Sequence, residues 1–405
     1  MTTLSSVYSS LTGLLSFSKA LDVLSDNVAN LNTIGYKERG YRFESLGTSG
    51  ESRNRTGALA FEPMAAGTSV YGSLRNLSQG EIQQTSKTTD LAVQGNGFFV
   101  IRDSGHLLYT RDGQFELRGD GRLVHASGGI LQALTENGRP IDLVIPVTRT
   151  SPSLATKRVA FSGQLGTNPS GDQQPYEISG ISVVDGDGVV QVYSASFENL
   201  SSSGTQGEWR VTINDDSGFP VGSGIIRFQG SGAPQPGFNE FSVQVRTATG
   251  RTTPVSLYFG DPGSLDGAVQ GGISDLQVSS ADGYVAGRVA SFQFDESGLL
   301  TVEFSNGQSE TGSQIAVAAI PVAELVETSD GVLFRSDEAG AVPLGHFGSP
   351  GFGALASSSL ELGNVDLSRE FADIIILQRG FQASSQILNV SSSLIEDVYS
   401  NLGRR

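Results

Sequence analysis

Helical patterning is confined to the two ends of this 405-residue chain, and the long stretch between them has the character of β-structure. Apolar residues recur every three or four positions from residue 4 to 31, and again from 374 to 402. This spacing predicts two amphipathic helices. The first contains a single glycine, Gly13, and no proline. A chain of this kind must bring its distant ends together or leave two apolar stripes without a partner.

Each predicted helix carries an apolar seam of the coiled-coil type. The N-terminal seam consists of Leu4, Val7, Leu11, Leu14, Leu21 and Val28. The C-terminal seam consists of Ile374, Leu377, Phe381, Leu388, Ile395, Val398 and Leu402. The two seams can pair within one chain or pack between subunits. We expect subunit packing, because serines interrupt both seams and weak packing in the monomer would delay assembly.

Polar residues mark where these helices end and begin. Asn30, Asn32 and Gly35 follow the first helix, and asparagine and glycine tolerate the left-handed backbone that terminates helices. Asp366 or Ser368 is predicted to cap the start of the second helix.

The middle of the chain is predicted to consist of strands and turns. Turn dipeptides at Asn96-Gly97 and Asp112-Gly113 divide a meander between residues 91 and 124. Between residues 150 and 280, Gly, Ser and Asp increase and strands alternate around Trp209, which indicates a separate β-sandwich or barrel.

The predicted fold class is therefore mixed and mainly β. Nested β-domains of sandwich or barrel type are expected, with the N- and C-terminal α-helices paired as a coiled-coil-like domain. Four parts are expected, each but the last built from two stretches of chain: a terminal helical domain (1–35 and 362–405), a loop-rich connecting segment (36–73 and 355–361), a shared β-domain (74–148 and 282–354) and an inserted outer β-domain (149–281).

Composition excludes several classes of function. The net charge is −16, so phosphate backbones would repel this surface and no nucleic-acid partner is expected. The chain has no cysteine, which rules out disulfides and thiolate metal sites. It has no apolar run long enough to span a membrane, so no membrane insertion is expected. It also shows no basic region before an apolar core, so no cleaved Sec signal is expected.

No constellation for catalysis, cofactor binding or metal binding emerges, and the chain is not expected to be an enzyme. The three histidines, His106, His125 and His346, lack the spacing of a helical zinc site. No nucleophile elbow and no phosphate-binding loop occurs. Asp185 and Asp187 lie in a Gly-Asp run that lacks the later ligands of a calcium loop, so we interpret it as a tight turn.

The segment after the first helix resembles the signature of the bacterial flagellar rod and hook proteins, a family of axial subunits. The residues that carry this resemblance are Asn30, Asn32, Thr33, Gly35, Tyr36 and Lys37. Residues 95–101 and 109–115 are similar to the first strands of the family's shared domain. The family's C-terminal signature is matched by residues 360–361 and 370–371 and by Asn364, Val365, Asp366, Leu367, Gln378, Arg379 and Gln382.

The resemblance implies a structural subunit that self-assembles into a tube, with its terminal helices lining the inner wall. About 130 residues inserted after Pro146 favour a hook-type subunit, a flexible joint that transmits torque. A distal rod-type protein and a divergent hook-like paralogue remain alternatives. The implied partners are copies of the chain itself, the distal rod protein, a hook cap, hook-associated proteins and the flagellar type III export apparatus. The implied location is the extracellular hook, or the periplasmic rod under the first alternative.

Overall fold

The computed structural model describes residues 2–46, 67–166, 175–200, 207–247, 249–321, 325–327, 333–336 and 342–402. The chain divides into two compact units. The first unit contains Met1–Val147, Phe292–Thr301 and Thr311–Arg405. The second unit contains Thr148–Ser291 and Val302–Glu310. Among the described residues, strands are much more common than helix and both ends are helical, which confirms the predicted fold class.

The two helices are α1, Thr2–Ala29, and α2, Leu367–Leu402. Asp366 caps α2, because its Oδ1 accepts a hydrogen bond from the backbone N–H of Ser368 at 2.9 Å. Of the two predicted caps, Asp366 is the one that is used. Within the described residues, neither helix is long and apolar enough to cross a membrane.

Ten strands precede the second unit in the described part of the chain, and they include every strand of the predicted meander. They are β1 Arg39–Ser45, β2 Thr68–Arg75, β3 Ile82–Gln84, β4 Leu91–Gln94, β5 Phe98–Asp103, β6 His106–Thr110, β7 Phe115–Leu117, β8 Leu123–His125, β9 Ile130–Leu134 and β10 Pro140–Asp142. The turns between β4 and β5 and before β7 lie at the predicted Asn-Gly and Asp-Gly dipeptides.

The described residues of the second unit form ten further strands. They are β11 Thr150–Ser151, β12 Arg158–Gly166, β13 Tyr176–Val184, β14 Val190–Asn199, β15 Glu208–Asn214, β16 Pro220–Arg227, β17 Glu240–Arg246, β18 Thr252–Tyr258, β19 Ala268–Gly271 and β20 Gln277–Ala281. Three strands contain residues of both units, and five more belong to the first. They are β21 Gly287–Phe294, β22 Leu299–Phe304, β23 Ser309–Ala318, β24 Leu325–Glu327, β25 Leu333–Ser336, β26 Leu344–His346, β27 Ala354–Ser357 and β28 Ser359–Glu361.

The main sheet of the first unit is built around β5. This strand pairs antiparallel with β6, β9 and β23, and β6 in turn pairs with β25. Phe98 and Val100 bury their side chains on one side of β5, where they meet Tyr109 and Phe334. Two short pairs join the chain ends to this region: β27 with β4, and β28 with β3. Strand β28 therefore brings the chain directly to the start of α2.

The second unit is a β-sandwich. Strands β13 to β16 form an antiparallel sheet in chain order, and β17, β18, β12 and β19 form the other, with β20 paired to β12. Both sheets bury alternate residues in one core that contains the chain's single tryptophan, Trp209. The alternating strands predicted around Trp209 are β15, β17 and β18, and the sandwich prediction is confirmed.

The segment predicted to be loop-rich contains a β-hairpin. Strands β1 and β2 pair antiparallel from Arg39↔Arg75 to Ser45↔Thr68. The signal was present in the sequence, because Tyr41 and Phe43 alternate with polar neighbours in β1. Both rings pack towards α1, with Phe17 and Phe43 making an edge contact at 5.4 Å between ring centroids. The hairpin thus covers one side of α1.

Candidate assembly site: the terminal helices and their junction

The two helices of the chain pack antiparallel through a seam of small and polar residues. Near the start of α1, Ser6 Oγ lies 2.9 Å from Ser391 Oγ. Seven residues on, Gly13 approaches so closely that a Cβ there would lie 3.2 Å from Ser384 Oγ. At the far end, the Asn27 amide donates to Glu370 Oε1 at 3.1 Å. The contacts advance along α1 while they retreat along α2, which fixes the antiparallel direction.

Among the described residues, the buried apolar cluster between the two helices lies in the middle of this seam. Ala20, Leu24 and Leu377 are fully buried there, and Phe17 and Ile374 pack against them. A helix pair with so short an apolar core gains little from burial, and most helix stability in proteins comes from such packing. The pair is therefore expected to be weak for its length.

The structure places the predicted C-terminal seam along this contact. Leu377 is buried, Ile374, Leu388 and Ile395 are half-buried, and Phe381 is 39% exposed. The side chains of Val398 and Leu402 lie outside the described residues.

The predicted N-terminal seam lies beside the contact row. The row of α1 that contacts α2, the contact row, consists of residues 6, 13, 20 and 27. Each lies one position before a seam residue, namely Val7, Leu14, Leu21 or Val28. The four seam residues Val7, Leu14, Leu21 and Val28 are half-buried, and Leu11 is 46% exposed. The side chain of Leu4 lies outside the described residues. Periodicity found the apolar stripe, whereas the closest helix contact uses the smaller residues next to it.

A second apolar row on α2 lies to one side of the seam and stays exposed. We call it the outer row. It follows heptad-type spacing, and its residues are Ile376 (64% exposed), Ile387 (54%), Val390 (56%) and Leu394 (50%). On α1, Tyr8, Leu11 and Leu15 are about half exposed in the same way. Large apolar side chains at regular spacing on a solvent-facing helix are typical of an interaction surface.

Substitution of Gly13 by leucine is expected to weaken the helix pair, because the added side chain would collide with Ser384 at the closest helix approach. Overpacking of this kind costs typically about 1–3 kcal/mol. The matched control is Ser18→Leu, which adds the same bulk on the exposed side of α1. Thermal unfolding followed by far-ultraviolet circular dichroism should show a lower midpoint for Gly13→Leu alone. Equal midpoints for the two variants would contradict the close approach.

The segments that link the helices to the sheet converge on one buried carboxylate, Glu361 in β28. Lys37 Nζ donates to its Oε1 at 2.6 Å, and Arg111 Nη1 donates to its Oε2 at 3.1 Å. The backbone N–H of Gly80 donates to Oε1 at 2.8 Å. The Lys37 and Glu361 side chains are fully buried, and that of Arg111 nearly so. We call this cluster the junction.

Burial is the dominant influence on the charges of the junction. It lowers the pKa of Lys37, and the adjacent Glu361 carboxylate opposes that effect. The carboxylate of Glu361 faces two cations, Lys37 and Arg111. Both cations also donate to backbone carbonyls: Lys37 to Ser78 O at 2.8 Å, and Arg111 to Gly95 O at 2.7 Å. A buried ion cluster of this kind is tolerated only when its hydrogen bonds are made.

Other motif residues hold the chain ends together beside the junction. Asn364 accepts from the Glu38 N–H at 2.7 Å, and its amide donates to the carbonyl oxygens of Asn76 and Ser78. Gly35 donates its N–H to the carbonyl of Glu361 at 2.8 Å and adopts a positive φ of 69°.

The remaining motif residues divide between the turn and the surface of α2. Asn30 and Thr33 close the turn after α1, since Thr33 Oγ1 donates to Asn30 Oδ1 at 3.1 Å, and Asn32 is exposed. Tyr36 is buried, and its hydroxyl donates to Asn27 Oδ1 at 3.2 Å. Val365 is buried and Leu367 is 37% exposed. On the exposed surface of α2 lie Gln378, Arg379 and Gln382.

Sequence reasoning did not single out Asn27 and did not predict the contacts of Arg111, Glu361 and Glu370. These last three residues lie within the motif stretches, but nothing in the sequence pairs Arg111 and Glu361 with Lys37, or Glu370 with Asn27. Among the described residues, no group of three or more His, Asp or Glu side chains is arranged to hold a metal ion. The arrangement is suited to holding chain segments together.

Comparison with known proteins matches three separate regions of the chain. Residues 92–163 match a family described as "Flagellar hook protein FlgE/F/G D1 domain". Residues 8–37 match "Flagella basal body rod protein", and residues 356–401 match "Flagellar basal body rod FlgEFG protein C-terminal". These regions contain Lys37, Arg111 and Glu361 and most of both helices. All three matches are to flagellar rod and hook proteins, and this chain is similar to them in these regions.

Full-length relatives carry hook names. "Flagellar hook protein FlgE" of Borreliella burgdorferi is 28% identical over 97% of this chain and 98% of its own length. The protein of the same name from Salmonella typhimurium is 27% identical over 95% of this chain and 96% of its own. A solved structure of the Helicobacter pylori flagellar hook protein FlgE2 covers 69% of this chain with a TM-score of 0.45 and 14% identity. The predicted family resemblance is confirmed.

Proposed function

We propose that this chain is the structural subunit of the bacterial flagellar hook and polymerises into a tubular joint between rod and filament. The observation that carries the proposal is the full-length similarity to proteins named as hook proteins, which includes the region of the inserted second unit. The alternatives, a rod-type protein or a hook-like paralogue, have no observation here that favours them.

The physical basis for assembly is the outer row of α2. Its side chains are 50–64% exposed, so burial by a neighbouring subunit would add roughly half of the about 1.5–3 kcal/mol that a fully exposed apolar side chain gains. Contacts of this type must be head-to-tail to extend, because a heterologous interface that does not close generates a helical filament. The weak seam between α1 and α2 supports the same proposal, since a helix pair that is incomplete alone is completed by neighbours.

Further partners and the location follow from the proposed role. The chain would contact copies of itself, the distal rod, the hook cap and the hook-associated proteins. It would leave the cell through the flagellar type III apparatus and reside in the extracellular hook. The mechanism is mechanical: apolar helix contacts hold the tube together, and the sandwich unit adds a β-domain that can contact its neighbours in the polymer.

The decisive experiment is deletion of the gene followed by electron microscopy of detached basal bodies. A complete rod without a hook is the expected result. A missing or truncated rod would instead place the protein in the rod, and unaltered flagella would overturn the proposal.

A variant of the outer row tests the assembly surface directly. Ile387→Glu is expected to abolish hook formation in the deletion strain, because burying an unpaired charge against a neighbour costs far more than the lost apolar contact. The monomer should fold normally, since Ile387 is 54% exposed. The control is Gln386→Glu, which places the same charge on the adjacent exposed position. Normal hooks with Ile387→Glu would show that the outer row is not an assembly surface.

A further inference from the structure

Glu370 is a buried carboxylate at the point where α2, α1 and the connecting segment meet. Glu370 is only 2% exposed. Oε1 accepts from the Asn27 amide at 3.1 Å, while Oε2 has no hydrogen-bond partner among the described residues. Asn27 is itself fixed, because it also donates to the carbonyl of Arg39 and accepts from the N–H of Arg39, both at 2.9 Å. Glu370 thus lies against a rigid polar frame.

The charges that face Glu370 do not neutralise it. Two nearby carboxylates, Glu38 of the connecting segment and Asp373 of α2, oppose the ionisation of Glu370 and so raise its pKa. No lysine or arginine in the described part of the chain forms an ion pair with it. On α1, Asp26 pairs with Arg39 at 3.1 Å, and Lys37 is committed to Glu361. Arg369 and Tyr41 are the remaining titratable groups nearby.

A buried, anionic and unpaired carboxylate is costly, whereas its neutral form fits this environment. Protonated Glu370 can keep the bond from Asn27 and use its own O–H as a donor towards the Glu38 carboxyl. Burial, first, and the nearby acids raise the pKa of Glu370 from 4.5 to about 7.

We propose that Glu370 is a protonation-controlled latch at the base of the terminal helix pair. When neutral, it closes the contact between α2, Asn27 and Glu38; when ionised, it weakens that contact. The latch is a property of the folded chain by itself. Its extension to assembly rests on the proposed function, since the same helix pair carries the outer row.

The direction of the pH dependence follows from the raised pKa. A carboxyl that holds its proton more tightly when folded contributes its full stabilisation below its unfolded pKa, and that contribution is lost as the pH rises through the folded pKa. The loss should therefore fall between 4.5 and about 7. Other acidic groups also titrate there, so the wild type must be compared with a variant that cannot ionise.

The test is thermal unfolding of the full chain and of Glu370→Gln across this range, followed by far-ultraviolet circular dichroism. Glutamine resembles the neutral acid and can bond both Asn27 and Glu38. Similar midpoints at about pH 5, and a higher midpoint for the variant by several degrees at about pH 8, are expected. The control is Glu396→Gln, an exposed glutamate of α2, which should give a constant difference at all pH values.

A constant difference between wild type and Glu370→Gln across the range would overturn the latch. So would a variant that is less stable throughout, because Glu370 would then act in its ionised form. Polymer yield measured by sedimentation at the same pH values addresses the extension. Wild-type yield that falls with rising pH, while Glu370→Gln yield stays level, supports control of assembly. A chain that polymerises at no pH contradicts the proposed function and leaves the unfolding result valid.

Discussion

Replacement of Glu361 by leucine is expected to produce a large loss of stability among single substitutions in this chain. The change leaves Lys37 and Arg111 buried without their carboxylate. It also removes the acceptor for the Gly80 N–H. Breaking a buried ion cluster by removing one partner costs about 3–5 kcal/mol, because the uncompensated charge stays buried or must lose its proton.

The two units provide separate spectroscopic reports of this effect. Both helices lie in the first unit, so far-ultraviolet circular dichroism follows that unit, whereas Trp209 lies in the core of the second. Denaturant unfolding of Glu361→Leu should shift the helical transition to lower denaturant and move the tryptophan transition less. Loss of an exposed pair by Glu198→Gln, which removes the 2.8 Å contact with Arg210, should cost less than about 1 kcal/mol. A similarly small loss for Glu361→Leu would show that the junction contributes little.

Substitution of Gly35 by alanine is expected to be the second severe change. The left-handed conformation alone costs a residue with a side chain roughly 1–2 kcal/mol. At this position the added Cβ would also lie 2.4 Å from the backbone nitrogen of Asp112, which no side-chain rotation can relieve. The turn after α1 would have to move away from the segment between β6 and β7 that contains Arg111 and Asp112. The loss should therefore exceed the conformational cost.

Substitution of Gly105 by alanine separates the cost of the left-handed conformation from the cost of the steric clash. Gly105 has a φ of 85°, and a Cβ there would meet nothing within 4 Å. Gly105→Ala should therefore show the conformational cost alone in the same unfolding experiment. Gly35→Ala and Gly105→Ala with equal losses would mean that the close approach to Asp112 is relieved by small backbone shifts.

Local sequence signals were sufficient where the structure depends on neighbouring residues. The two helices, the Asp366 cap, the turn after Asn30 and the alternating strands around Trp209 were all predictable, because periodicity and turn chemistry act within a few residues. The hairpin of β1 and β2 carried the same kind of signal in Tyr41 and Phe43 but was not recognised.

The sequence by itself determined that two amphipathic helices flank a glycine-rich β-structure and that the apolar stripe of each helix needs a partner. Only the tertiary structure decided which helix faces meet. On α1, the stripe of large apolar residues and the adjacent row with Gly13 and Ala20 have the same helical spacing, so periodicity cannot distinguish them. The row with the smaller side chains forms the contact, because it lets the two helix backbones approach most closely. The junction of Lys37, Arg111 and Glu361 was equally beyond local signals, because its charges come from segments far apart in the chain and are paired only once the fold has excluded water.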